Sequence, residues 1–163
     1  MCQLSLLLCM VIIMAQIKID LGYVPVTLQT LGLYLIALLT KPRHALYVSL
    51  CYILMGAIGL PVFAGFTGGI GALINYSGGY IVAFPVMCFV SSCIGYDHGL
   101  LKKIGGCVLG TLICYIIGTA WFVYLTDMNL VSAIMMCVVP FLPGDALKIA
   151  GAVLLSQKIN FYQ

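Results

Sequence analysis

Charges and clusters of glycine and proline break this chain in five places, at Lys18 to Pro25, Thr40 to His44, Gly59 to Gly79, Tyr96 to Lys103 and Thr126 to Asn129. The runs they delimit are almost wholly apolar: 2–17, 26–40, 45–58, 79–95, 104–125 and a last one from about 130 to 158. A helix needs about 20 mostly apolar residues to cross a bilayer, and a few less where neighbours bury it. The pattern therefore predicts an all-α membrane protein with six transmembrane helices, a single integral-membrane domain over 1–163. Pro140 and the Pro143-Gly144 pair interrupt helix geometry in the last run. That puts the sixth helix at 143–158 and leaves 126–142 as a loop or a short helix at the surface.

Composition narrows the class. Of 163 residues 64% are apolar and 7% charged, against about a quarter charged in a soluble domain, so a water-soluble fold is excluded. A net charge of +3 over seven basic residues makes no patch able to track a nucleic-acid backbone. The eight cysteines lie mostly inside apolar runs, with no C-x-x-C pair and no His beside them, and read as small core residues rather than disulfides or metal ligands. The apolar start lacks a basic leader and a clear small-x-small cleavage site, so residues 2–17 are expected to be a retained span.

The basic residues set an orientation. Lys41 and Arg43, Lys102 and Lys103, and Lys158 follow the second, fourth and sixth predicted spans, whereas the alternate connections carry only Lys18. The positive-inside bias then predicts both termini in the cytoplasm and loops 18–25, 59–78 and 126–142 outside.

Two features on the outer side carry candidate chemistry. Residues 59–80 read GLPVFAGFTGGIGALINYSGGY, rich in glycine and without charge. Non-helical backbone at membrane depth is tolerated where protein buries it or it lines a cavity; otherwise the glycines serve tight helix packing. In PFLPGDALKIAGAVLL, Asp145 and Lys148 stand i, i+3 in an otherwise apolar stretch. Each would cost about 2.5–3.5 kcal/mol at mid-bilayer, so such residues face a cavity or each other. Pro143-Gly144 suits a helix entry, which puts Asp145 in a first turn where the dipole favours an anion. The pair is either a helix-capping salt bridge or one end of a pocket. Thr27, Gln29 and Thr30 add polar groups at the outer end of the second span, a pattern that more often serves helix–helix hydrogen bonding.

Enzyme chemistry finds no support. H-E-x-x-H, G-x-S-x-G and G-x-x-x-x-G-K-[ST] are absent, and His44 and His98 fall at loop ends. An ion pore wants rings of one sign, whereas Asp145 and Lys148 offer opposite signs. The pair suits a compact organic ligand with an apolar body, hydrogen-bond donors for Asp145 and an anionic group or acceptor for Lys148.

AQIKIDLGYVPVTLQTLG at 15–32, MGAIGLPVFAG at 55–65, SGGY at 77–80 and VVPFLPGDALKIAGAVLL at 138–155 together resemble the BioY family, the biotin-binding substrate-capture (S) components of energy-coupling factor (ECF) transporters. The resemblance covers essentially the whole chain. It implies a six-helix bundle in a bacterial cell membrane with its pocket near the outer side, no ATPase activity of its own and no cofactor, biotin being the transported ligand. It further implies a transmembrane coupling subunit and two ATPase subunits as partners, with the loaded S component reorienting to release the vitamin inward. Biotin offers ureido N–H donors, a ureido carbonyl, an apolar thiophane and a valerate carboxylate. The resemblance then implies Asp145 as acceptor for ureido N–H and Lys148 on either the carboxylate or the ureido carbonyl. Asn75 or Gln29 would add amide contacts, Phe63, Tyr80 and Tyr115 would wall the rings, Gly78 and Gly79 would let backbone approach, and loops 18–30 and 59–79 would form a lid. The chain departs from the family pattern at 75–77, where Asn-Tyr-Ser replaces Gly-Pro-Thr, and in its first helix, where Ser5 and Cys9 are the nearest equivalent of an A-x-x-x-A face. The alternatives are an S component for another vitamin and a small membrane scaffold in which Asp145 and Lys148 only cap a helix.

Overall fold

The computed structural model of the chain describes residues 2–19 and 24–159. Helices α1 (Cys2–Gln16), α2 (Gln29–Leu39), α3 (Pro42–Ala57), α4 (Ile70–Ile74), α5 (Gly78–Gly95), α6 (Leu100–Thr126), α7 (Leu130–Cys137) and α8 (Leu142–Lys158) account for nearly all of the regular structure among them. The rest is an antiparallel pair of two-residue strands, β1 (Lys18–Ile19) and β2 (Val26–Thr27), in register Lys18 to Thr27.

Local chemistry explains where these bounds depart from the sequence reading. The second helix was expected from 26, but Val26 and Thr27 pair with β1, and the Leu28 N–H continues that ladder to the Ile17 carbonyl at 3.1 Å. Helix geometry therefore begins at Gln29. The third helix starts at Pro42 rather than 45, because proline at a first helical position has its φ already set and lacks an N–H that would be orphaned there. Within the expected outer loops lie α4, inside 59–78, and α7, inside 126–142, the latter capped where the Asn129 side chain accepts from the Val131 N–H at 3.3 Å. Residues 20–23, including Tyr23 and half of the expected loop 18–25, lie outside the described residues.

Among the described residues, only α5 and α6 are each long and apolar enough to cross a membrane alone; α7 and α8, bent by 48° at their junction, qualify together, while α1 and α2 are shorter apolar helices. The most extensive helix contact is between α5 and α6. Glycine lets their backbones close: a Cβ at Gly118 would lie 2.2 Å from the Tyr80 ring, and one at Gly79 would lie 2.2 Å from Trp121 Cβ. Small polar groups tie the helix ends. Ser92 Oγ donates to the Thr40 carbonyl at 2.6 Å, joining α5 to the end of α2, and Lys103 Nζ donates to Ser156 Oγ at 3.2 Å, joining α6 to α8.

These contacts define one end of the bundle, which gathers Lys41, Arg43, Lys102, Lys103 and Lys158 near the starts of α3 and α6 and the end of α8. At the other end the long 59–77 segment folds back over the helices. Phe63 is fully buried against Tyr52 in an edge-on contact with centroids 5.5 Å apart, and Tyr52 Oη donates to the Val62 carbonyl at 2.8 Å. Gln16 Oε1 accepts from the Phe66 N–H at 2.6 Å, fastening the segment to the end of α1.

The glycine contacts give a stability test. Gly79→Val should force α5 and α6 apart and lower stability by about 1–3 kcal/mol, the usual cost of overpacking. Gly71→Ala, where an added Cβ meets nothing within 4 Å, should leave the melting temperature of the detergent-solubilised protein unchanged. Equal melting of both variants and the parent would show that the α5–α6 contact is looser than described.

Candidate ligand-binding site

A cavity of about 550 Å³ lies at the end of the bundle away from the basic residues, within the range typical of small-molecule sites. The N-terminal parts of α2, α5 and α8 and the middle of α6 wall it, with β1, β2 and the 59–77 segment across them. Its chemistry is divided between a deep polar pole and apolar sides.

The pole is built on α8. Pro143 opens that helix, and Asp145 falls in its first turn, where the orphan N–H groups and the dipole favour a carboxylate. Lys148, one turn on, lies on the same face, and its Nζ donates to Asp145 Oδ1 at 2.9 Å with both side chains buried. Two further helices close around this ion pair. From α2, Thr30 Oγ1 accepts from Lys148 Nζ at 3.0 Å and reaches toward Asp145 Oδ1 at 3.5 Å; from α6, Tyr115 Oη donates to Asp145 Oδ2 at 2.5 Å.

Counting bonds shows what is left for a ligand. An ionised carboxylate has about four lone-pair sites and an ammonium three donors. Asp145 receives Lys148, Thr30 and Tyr115, and Lys148 gives to Asp145 and Thr30. The pair therefore keeps capacity for one more donor and one more acceptor. On the wall of the same cavity, Gln29 is 4% exposed, and its Nε2 is buried without a hydrogen-bond partner. A buried amide donor without a partner costs about 1–3 kcal/mol, so its position on the cavity wall is itself a sign of ligand chemistry.

Tyr34 and Thr111 extend the polar surface. Thr111 Oγ1 donates to the Cys107 carbonyl at 2.7 Å, which uses its single proton. In the 2.6 Å contact between the two hydroxyls, Tyr34 must therefore be the donor. The remaining walls are largely apolar, with Phe63, Ile81, Phe84, Met87 and Phe141 facing the space.

Of the residues singled out from sequence, Asp145, Lys148, Gln29, Asn75, Tyr80, Phe63 and Tyr115 all line this cavity. Asn75 does so with its Oδ1 already accepting from the Tyr76 N–H at 2.7 Å. Gly78 and Gly79 do not line it. They form the first turn of α5, where a Cβ would meet the Leu73 carbonyl oxygen at 1.8 Å and Trp121 Cβ at 2.2 Å, so their smallness serves packing rather than ligand approach. Of the residues expected to form a lid, Gln29 and Thr30 are the first turn of α2 and Gly78 and Gly79 belong to α5, while β1, β2 and the segment between α3 and α5 lie across the cavity. Thr30, Tyr34 and Thr111 were not among the expected site residues. Only Thr30 had a signal, as the neighbour of Gln29 in a polar pair at a helix start; Tyr34 and Thr111 sit in apolar runs and are brought together across 77 positions of sequence.

The crystal structure of the S-component for biotin from an ECF-type ABC transporter superposes with a TM-score of 0.88 over 96% of this chain and 88% of that one, at 22% identity, which establishes an S-component fold. The chain is 36% identical over 146 residues to a Pyrococcus horikoshii protein named "Probable biotin transporter BioY", covering 90% of this chain and 86% of the relative. It is 32% identical over 155 residues to the biotin transporter BioY of Thermotoga maritima, covering 93% and 89%. The family model for BioY matches residues 1–162, and on that match and these identities the chain belongs to the BioY family.

Proposed function

We propose that this chain is the biotin-capturing S component of an ECF-type transporter, a non-enzymatic membrane subunit. The observation that carries the proposal is the buried Asp145–Lys148 pair facing a 550 Å³ cavity with one acceptor site and one donor unspent and the Gln29 amide donor alongside. A cyclic urea needs that set: an acceptor for N–H and donors for its carbonyl. Asp145 takes a ureido N–H, while Lys148 and Gln29 Nε2 serve the ureido carbonyl; Phe63, Tyr80 and Tyr115 flank the ring system, and Asn75 contributes its Nδ2. Lys148 is assigned to the carbonyl because Asp145 and Thr30 hold its ammonium at the deep pole, away from the end where the flexible valerate would leave. A pair that merely capped a helix would not require an unpartnered amide beside it.

The whole chain is one membrane domain with six crossings, formed by α1, α2, α3, α5, α6 and the bent α7–α8 pair. The basic end faces the cytoplasm with both termini, and the cavity faces outward in a bacterial cell membrane. Lys41, Arg43, Lys102, Lys103 and Lys158 at the end opposite the cavity support that orientation. Energy comes from elsewhere, since no phosphate-binding loop is encoded: a transmembrane coupling subunit and two ATPase subunits would drive reorientation and release.

The site is tested by removing both charges at once. Asp145→Asn with Lys148→Met should abolish saturable biotin binding to the purified protein. Thermal stability should stay within a few degrees or rise, because replacing both partners of a buried ion pair is commonly neutral or favourable. Retained binding would place the ureido site elsewhere. Replacing the amide by an isosteric apolar group is a finer probe. Gln29→Leu should weaken biotin about ten-fold, the scale of one lost hydrogen bond of about 1.4 kcal/mol, without lowering the melting temperature. An unchanged affinity on titration calorimetry would remove Gln29 from the carbonyl.

A further inference from the structure

A cyclic urea carries two ring N–H groups, and the assignment above places only one of them. Asp145 has room for one more donor and takes the first N–H, while Lys148 and Gln29 Nε2 both give to the carbonyl in that reading. We infer that Tyr34 is a specificity-determining residue whose phenolic oxygen accepts the second ring N–H, so that the chain selects a ring with both N–H groups over a ring with one. The inference rests on the biotin reading, which puts the head of the ligand at Asp145.

Helix geometry brings the Tyr34 hydroxyl to that head. Thr30 and Tyr34 are four residues apart on α2, and Thr111 and Tyr115 are four apart on α6, so each pair shares a helix face at a spacing of about 6 Å along the axis. Thr30 and Tyr115 bond to the Asp145–Lys148 pair, whereas Tyr34 and Thr111 bond to each other at 2.6 Å, and all of them line the same cavity. Two polar rungs thus bridge α2 and α6, the second one turn deeper than the first. The N–H groups of a cyclic urea diverge on either side of its carbonyl, so two acceptors a helical turn apart can each meet one of them.

Tyr34 is suited to accept rather than donate there. Thr111 spends its own proton on the Cys107 carbonyl at 2.7 Å, so Tyr34 is the donor in their contact and its oxygen keeps its accepting capacity. Asn75 Oδ1, on the same cavity wall, already holds the Tyr76 N–H. The phenol is also held in place. Tyr34 is fully buried, Cys88 Sγ donates to the carbonyl of the preceding Leu33 at 3.7 Å, and Gly32 lets α2 close on α1, where a Cβ would lie 2.9 Å from Val11 Cγ2. A fixed acceptor cut off from bulk water makes a missing N–H costly, because a site built to hydrogen-bond a group discriminates against the analogue that lacks it.

The test is a cycle between protein and ligand, read by titration calorimetry on the full detergent-purified chain. The ligands are biotin and its two γ-lactam analogues, in each of which a methylene replaces one ring N–H. The parent protein should bind both lactams at least about ten-fold more weakly than biotin. Tyr34→Phe, which keeps the ring and its packing, should weaken biotin about ten-fold and leave one lactam unchanged, while the other lactam weakens by the same factor as biotin. A parent that binds either lactam as tightly as biotin would overturn the inference and leave the biotin reading standing. So would a Tyr34→Phe protein in which all three ligands weaken equally, the result for a hydroxyl that only ties α2 to α6, or one in which none weakens. If the folded parent binds neither biotin nor the lactams, the biotin reading falls and this inference falls with it.

Discussion

Burying a carboxylate and an ammonium among apolar helices is the costliest local arrangement in the chain, and the surrounding structure is organised around meeting it. Either charge alone would be untenable at that depth. Asp145 and Lys148 are tolerated because α8 puts them on one face and its first turn favours the carboxylate. Thr30 and Tyr115 supply the remaining hydrogen bonds from α2 and α6. Three helices must therefore meet at one point, in fixed rotation about their axes. The same requirement defines the cavity wall, since residues flanking those contact points on each helix are the ones that face the space.

Fixed rotation needs rigid packing behind it, and small residues provide this. Gly79 against Trp121 and Gly118 against Tyr80 bring α5 and α6 to close approach. That holds Tyr115, three residues before Gly118, in reach of Asp145. The binding geometry and the tightest packing in the bundle are thus neighbours on α6. The covering segment is held differently, by the Phe63–Tyr52 ring contact, the buried Tyr52 hydrogen bond to the Val62 carbonyl and the Gln16 bond to the Phe66 N–H.

Much of this is legible in the amino-acid sequence alone. Charge in an apolar run is costly enough to be conspicuous, so Asp145 and Lys148 stood out, and spacing alone put them on one face. Phe63, Tyr80 and Tyr115 were reached through family resemblance and are walls of the cavity. Gly78 and Gly79 pack helices rather than face the cavity; glycine has two uses in a membrane protein, backbone access and close packing, and sequence does not separate them, whereas the Leu73 carbonyl and Trp121 do. Tyr34 and Thr111 left no trace, since a tyrosine or threonine in an apolar helix is ordinary and its meaning depends on a partner from another helix. Strand pairing at Val26–Thr27 was hidden for a similar reason, because two residues are too few for a periodicity.

The hydrogen-bond chain from Tyr34 through Thr111 to the Cys107 carbonyl has a directional consequence. A helix carbonyl can only accept, so it commits the threonine proton, and the threonine in turn commits the tyrosine proton. Whatever the Tyr34 oxygen turns toward the cavity can then be only lone pairs. The polarity of that stretch of wall is thus dictated from behind by a backbone group that touches no ligand, and a valine in place of Thr111, nearly the same in shape, would release the phenolic proton and reverse the sign of what the wall offers.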